Sequence, residues 1–577
     1  MTRAAVAQLV VVIVALAVVS PLLGRYMAAV FGGSRAPGDR FFAPIERRVF
    51  RLLGISPDNS QRWSSYALSV LAFGAVSVFG LYLLLRFQHV LPFNPTGAPA
   101  VGGVLAFNTA VSFVTGTNWQ AYAGESTMSH LSQMSGLVVA QFTATAVGMA
   151  VAVALVRGIL QFHVRHSEHT PEGLLGNFWA DLVRGILRVL LPLAAIATVV
   201  MVSQGAVENL HGNTAATTVE GATQVIPGGP VATQEVIKTL GDNGGGFYNV
   251  GSAHPLANPN GLTNGFELVL SLALPFAFPF MYGRMAGRPR QGYTIVAVMA
   301  VLWLAPIVFA TVTESTGNPR LDAIGVDQTH HPTQVGGNME GKDLRFGPAG
   351  SVILSVGTMG TSAGVTPAAL DSYTPSGGSM ALGPILLGEI TPGGAGTGLY
   401  GMLVYVMIAV FIGGLMVGRT PEFMGQKLQT TEMKLVSMYV IVIPFVVLGG
   451  TAATVLLSTA RRSALNAANH GFTEMLYAFA SAANGNGSAF AGLNANTNWY
   501  NTMLGVTMLA GRFLPIIIVL ALAGSLSRKQ IHAPSIATMP TSGFTFGGLL
   551  TGVVLIVGGL TYFPALVLGP IAEHLTK

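Results

Sequence analysis

Residues 472–488 read FTEMLYAFASAANGNGS. The apolar stretch 472–481 runs into the small, polar turn Ala483-Asn484-Gly485-Asn486-Gly487-Ser488. A helix that crosses a bilayer needs about 20 mainly apolar residues, so this stretch is too short to span. The pattern occurs three more times. Residues 104–114 lead into Thr115-Gly116-Thr117-Asn118-Trp119-Gln120, and residues 231–240 into Gly241-Asp242-Asn243-Gly244-Gly245-Gly246. Residues 349–358 lead into Gly360-Thr361-Ser362-Ala363-Gly364. A new apolar run follows each turn. One glycine–asparagine loop alone reads as an exposed turn. Four of them, each behind a half-span, read as an internal repeat of architecture.

Around these half-spans lie ten apolar runs: 5–27, 64–86, 129–156, 179–204, 263–283, 293–313, 380–418 (interrupted), 435–458, 497–524 and 546–571. The order is span, half-span, glycine loop, span, four times over, with one extra span at each end. The fold class is therefore an all-α polytopic membrane protein of about ten transmembrane helices, with four pseudo-symmetric helix–pore-loop–helix repeats around one pore. The repeats divide as 64–156, 177–290, 291–418 and 431–524. An N-terminal span and basic loop (1–63) precede them, and a C-terminal span (546–577) follows. The first run could be a signal peptide. Its only early basic residue is Arg3 and no small-residue cleavage site precedes Arg25, which favours a retained span.

Composition agrees. Of 577 residues, 51% are apolar and 9% charged, against roughly 25% charged in soluble domains. That excludes a soluble enzyme, a disordered chain and a coiled coil. The absence of cysteine excludes disulfides, thiolate catalysis and cysteine-based metal sites. A net charge of +6 does not imply nucleic acid here, because in a membrane chain the placement of Lys and Arg outweighs their sum. Alternate loops carry 17 basic residues on one side, from Arg25 to Lys529, and 9 on the other. The bias puts the first set in the cytoplasm and both termini outside.

Non-helical backbone at membrane depth must line a wet cavity or be buried in protein. Glycine permits conformations in which successive carbonyls face one axis, and carbonyl oxygens can replace the hydration shell of a monovalent cation. The negative end of each half-helix adds to this where it faces the cavity. Asp242 is the one carboxylate in a loop core. Glu125, Asp371 and Glu474 lie close by in sequence and could draw cations to an outer mouth.

With these residues in view, the sequence resembles the KdpA family, the potassium-binding subunits of potassium-transporting ATPases. The four loops carry the likeness, joined by Asn338-Met339-Glu340-Gly341-Lys342, the run SAANGNGSAFAG (481–492), Gly418-Arg419-Thr420-Pro421-Glu422 and Gly511-Arg512-Phe513. It extends from about residue 20 to 570. The resemblance implies a protein that selects K+ outside a bacterial inner membrane and passes it to the P-type ATPase subunit of the same complex. Two further partners would complete that complex, one a small single-span subunit, the other a periplasmic-facing stabilising subunit. The resemblance implies ion-binding residues Gly116, Thr117 and Asn118; Asn243 and Gly244; Ser362, Ala363 and Gly364; and Asn486 and Gly487. Gln120, Asp242 and Asp371 would stand at the outer mouth. Gly116 and Gly485 stand where the family often has asparagine, and Ala363 where cysteine is common. Backbone carbonyls do not need those side chains.

The seventh run breaks at Gly388-Glu389-Ile390-Thr391-Pro392-Gly393-Gly394. A carboxylate at such a break is a functional candidate, and with the resemblance it reads as a gate, Glu389 standing at the exit toward the partner. The plainer alternative leaves Glu389 in a loop outside the membrane. Arg419 and Arg512 flank the inner half, either to stop a cation leaking straight through or as interfacial anchors. The segment Gly336–Lys342 imitates a phosphate loop but continues with Asp343, not Ser or Thr. No P-type phosphorylation motif is present, so ATP chemistry falls to another chain. His163, His166 and His169, and the pair His330–His331, have no carboxylate partners of zinc-site spacing. Three other readings stay open: a stand-alone K+ or Na+ translocator driven by membrane potential, a secondary transporter for an organic solute, and a membrane enzyme. Half-spans that all enter from one side argue against the second, and the lack of a catalytic constellation argues against the third.

Overall fold

The computed structural model describes residues 3–161, 173–388, 390–533 and 538–576. Among these, ten helices are long and apolar enough to cross a membrane. Four shorter helices sit between them at the expected half-spans: Gly103–Thr115, Val231–Leu240, Gly347–Met359 and Ala468–Ala483. The last starts four residues earlier than the apolar pattern suggests. His470 and Glu474 on its first turns are polar, yet they find partners in neighbouring segments.

Burial sorts the spans. The span after each pore loop (Ser132–Leu160, Gly261–Met285, Thr397–Met416, Asn498–Leu526) has 50–78% of its most apolar window inside the protein. The span before each half-helix (Trp63–Val90, Phe178–Ser203, Pro289–Ala323, Thr430–Leu456) has only 17–44% inside. The second spans therefore form an inner layer and the first spans an outer one. Both layers are apolar on all sides, which suits helices that meet protein on one face and lipid on the other. Among the described residues, the two terminal spans, Arg3–Phe31 and Phe544–Leu566, are peripheral.

Two of the buried charges in this apolar body are arginines held by carboxylates, which offsets the cost of burying them. Arg157 donates to both carboxylate oxygens of Asp181, at 2.7 and 2.9 Å, and joins the inner span of the first repeat to the outer span of the second. Arg188 does the same with Glu46, at 2.5 and 2.8 Å, and also bonds Asp39. This docks the amphipathic helix Asp39–Leu52, which the apolar runs did not reveal, beneath the second repeat. A small hairpin in the second outer loop, Thr214–Thr217 with Thr223–Ile226, also went unread.

Gln8 and Glu573, near the two ends of the described residues, lie on the face where the half-helices begin. Gln8 Oε1 would be 3.6 Å from a Cβ on Gly350, at the start of the third half-helix. At the other end, Glu573 bonds His470 at the start of the fourth. The interrupted seventh run resolves into two helices, Pro375–Leu386 and Thr397–Met416, joined by non-helical chain. Glu389 lies outside the described residues, as do His163, His166 and His169.

Candidate functional site

The four half-helices each end where a loop turns sharply. Gly116 caps the first in the left-handed region (φ 85°), and Gly487 follows the fourth at φ 82°, a region that glycine enters without steric penalty. Asn118 and Asp242 adopt positive φ as well, which short polar side chains tolerate best. The sequence thus places permissive residues where the backbone must reverse.

The loops meet. A Cβ on Gly244 would stand 2.5 Å from the Asn486 carbonyl oxygen and 3.0 Å from that of Thr117. A Cβ on Gly487 would stand 2.1 Å from the Thr117 oxygen, and one on Gly364 2.3 Å from the Asn486 oxygen. Main-chain oxygens from the first and fourth loops therefore press on glycines of the second, third and fourth. Side chains lock the loops in pairs. Asn118 Nδ2 donates to Asn243 Oδ1 at 3.0 Å, joining the first loop to the second. Asn486 Nδ2 donates to the Thr361 carbonyl at 2.8 Å, joining the fourth to the third. Asn243 is held in turn by Gln141 and Thr145 of an inner span.

Two cavities flank this junction. One, of 690 Å³, opens on the side where the half-helices begin and is lined by all four loops, including Asn118, Gly245, Gly364 and Gly487. On the other side is a space of only 30 Å³, room for about one water, lined by Thr117, Gly485, Gly388 and Arg512. Neighbouring loop residues thus face different cavities: Thr117 one and Asn118 the other, Gly485 one and Gly487 the other. The loops form the partition. Asn118 Oδ1 and Ser362 Oγ are buried there with no hydrogen-bond partner among the described residues. Such oxygens are available as acceptors for a cation or its water.

The expected site residues fall as follows. Thr117, Asn118, Asn243, Gly244, Gly364, Asn486 and Gly487 come together in the junction. Gly116 lies one residue behind it, 3.5 Å from Asn243 Oδ1 by the position of a Cβ. Ser362 and Ala363 are buried in the third loop, over the break in the seventh run. There Gly393 donates to the Gly360 carbonyl at 2.9 Å, and the Thr391 carbonyl seals against Gly360. Gln120 lines the large cavity and donates to the Gly246 carbonyl. Asp242 is buried in the second loop, and Asp371 bonds His470 at 3.0 Å. Arg512 lines the small cavity and donates to the Ala144 carbonyl at 2.8 Å. Arg419 does not join it. It follows the far end of Thr397–Met416, a 20-residue helix about 30 Å long, whose first residue lines that cavity.

Sequence reasoning missed one buried support of the large cavity. Lys342, set aside with the false phosphate loop, pairs with Glu314 at 2.9 Å, both side chains fully buried. Glu314 also accepts from Asn338 and Thr374, and the Lys342 ammonium lies 4.3 Å from the centre of the Tyr373 ring. Burial pushes the Lys342 ammonium below the usual lysine range, against the pull of Glu314. The signal in the sequence was a lysine in a weakly charged loop, which had no partner in view until the fold supplied one.

Ten spans, with four half-helices feeding four loops that close on one junction, define a multi-pass membrane protein of pore-loop repeats. The crystal structure of the potassium transporter TrkH from Vibrio parahaemolyticus has a similar fold, with a TM-score of 0.50 and 14% identity, covering 90% of this chain and 97% of that one. The chain matches the KdpA family model, described as potassium-transporting ATPase A subunit, over residues 10–575, and it belongs to that family. It is 51% identical to the potassium-transporting ATPase potassium-binding subunit of Mycobacterium tuberculosis over 570 residues, 99% of this chain and 98% of the relative. Proteins of the same name from Sorangium cellulosum and Rhodospirillum centenum are each 48% identical, over 96% and 100% of this chain and 96% and 98% of their own lengths.

Proposed function

We propose that this chain is the potassium-binding and translocating subunit of an ATP-driven, high-affinity uptake complex. The observation that carries the reading is the meeting of the Thr117 and Asn486 carbonyl oxygens at Gly244, where a Cβ has no room. Oxygens held this way offer a bare K+ a substitute for its water shell without a charged ring. The ion enters through the large cavity and is stripped of water at the loops. It is then passed to the membrane domain of a partner P-type ATPase subunit, where ATP is hydrolysed. This chain is itself non-catalytic. The small single-span and periplasmic-facing subunits complete the assembly in a bacterial inner membrane, with both termini of this chain extracytoplasmic, as the basic-residue bias suggests.

In this reading the break after Leu386 is the gate, and Glu389 stands at its exit. Arg512 bars the straight path from the small cavity, while Arg419, set apart from it, anchors the inner interface. The test is a tagged pull-down of the full chain in detergent. Co-purification of an ATPase chain whose hydrolysis depends on K+ is the expected result. Robust K+ flux through the purified chain alone, with no ATPase partner, would instead establish a stand-alone translocator driven by membrane potential.

A further inference from the structure

Away from the loop junction, on the face where the half-helices begin, three potential ligands converge from two parts of the chain. His470 and Glu474 are four residues apart on the fourth half-helix and so share one of its faces. Asp371 comes from the turn Leu370–Ser372 that follows the third loop. One ligand atom from each lies within 4.8 Å of the other two. We propose that Asp371, His470 and Glu474 form a binding site for a divalent transition-metal ion such as zinc, with Glu573 orienting the imidazole.

Three observations carry this beyond a chance gathering of polar groups. The first is the order of bonds on the ring. Nδ1 of His470 contacts Glu573 Oε1 at 2.8 Å, and Nε2 is directed at Asp371 Oδ1, at 3.0 Å. A carboxylate that fixes one ring nitrogen and leaves the other for a metal is the usual outer-shell arrangement of metal-bound histidine. The second is Glu474. Its side chain is fully buried; Oε1 accepts from Asn466 at 2.7 Å, while Oε2 has no hydrogen-bond partner among the described residues. A buried carboxylate oxygen without a partner is costly unless something else meets it. The third is Gly492. A Cβ there would stand 2.3 Å from Glu474 Oε1 and 2.8 Å from Asp371 Oδ2, so the carboxylates occupy space that only glycine leaves open.

The donor set names the class of ion. One imidazole nitrogen with two carboxylates suits zinc, manganese and their neighbours, whereas magnesium and calcium prefer oxygen throughout. K+ is not the occupant, since it would gain nothing from the imidazole. Without metal, burial works against a charged His470, but the hydrogen bonds to Asp371 and Glu573 outweigh it and hold the imidazole up at about 10. An incoming ion takes the place of the Nε2 proton, which leaves to solvent, while the bond to Glu573 stays. The ion would then tie the turn after the third loop to the fourth half-helix. Through Glu573, which also pairs with Arg320 at 3.1 Å, the tie extends to the end of the chain.

The experiment uses the full chain purified in detergent through a tag free of histidine, stripped with chelator and offered Zn2+. One zinc per chain is expected, together with a higher melting temperature. His470→Gln and Glu474→Gln should each weaken zinc binding about ten-fold or more, and Glu573→Gln should weaken it less. X-ray absorption of the zinc-loaded wild-type chain should show one imidazole with oxygen neighbours at about 2.0–2.2 Å. That spectrum decides the matter even where a variant fails to fold. No zinc uptake, or equal uptake by the folded His470→Gln and Glu474→Gln chains, would overturn the site and leave a plain ion-pair cluster. A zinc spectrum lacking imidazole would do the same.

Discussion

The carbonyl oxygen of Asn486 lies 2.5 Å from the point a Cβ on Gly244 would occupy. Real side chains do not approach that closely, and here both neighbours, Asn486 and Thr117, present main-chain oxygens that cannot swing away. Gly244→Ala must therefore push two loops apart, and Gly244→Asp adds a charge as well. Apparent K+ affinity should fall about ten-fold or more, the equivalent of about 1.4 kcal/mol. Titration of K+-dependent activity in the assembled complex reads this directly. An unchanged affinity in Gly244→Ala would remove Gly244 from the ion path.

The amide of Asn486 fastens the fourth loop to the third through the Thr361 carbonyl, at 2.8 Å. Asn486→Leu keeps the bulk and deletes the donor, which leaves a buried carbonyl unmet at a cost of about 1–3 kcal/mol. Because the same residue supplies a carbonyl to the junction, the loss should appear as poorer discrimination of K+ from Na+ as well as lower stability. Competition of Na+ with K+ binding separates the two effects. A variant that melts earlier but selects as before would confine Asn486 to a structural role.

The fold was legible in the sequence because hydrophobic length is a strong signal. An apolar run either reaches about 20 residues or it does not, and all four half-spans appear as separate helices. The fourth loop's Asn486 and the second loop's Gly244 could be named from local chemistry. Their contact with each other could not, since it depends on how repeats 242 residues apart are packed. Asp371 shows the limit from the other side. Its position beside a loop was plain in the sequence, but its bond to His470, distant along the chain, was not. Arg419 and Arg512 looked equivalent as basic residues near inner span ends. The 20-residue helix Thr397–Met416 separates the first from the small cavity that the second lines.

Lys342 and Glu314 test whether the outer loop of the third repeat is clamped by charge. Both side chains are fully buried, and Glu314 has further donors in Asn338 and Thr374. Lys342→Met leaves an uncompensated buried carboxylate, so it should destabilise the protein by about 3–5 kcal/mol. Adding Glu314→Gln removes that charge and should recover part of the loss. Thermal melting of the single and double variants in detergent gives the comparison. Equal melting of the wild type and Lys342→Met would show that the pair contributes little.

Arg512 separates a barrier from a brace. Its guanidinium lines the small cavity behind the loops and donates to the Ala144 carbonyl at 2.8 Å. In a space that holds about one water, a fixed positive charge raises the energy of any cation that has passed the loops. Arg512→Gln retains a donor for Ala144 and removes the charge. If the charge is the barrier, this variant should leave K+ binding at the loops near the wild-type value while admitting K+ leak into vesicles reconstituted without ATP. Arg512→Lys, which keeps the charge, should remain tight. If Arg512 only braces the inner spans, Arg512→Gln will lower the melting temperature with no leak, and the proposed electrostatic barrier falls.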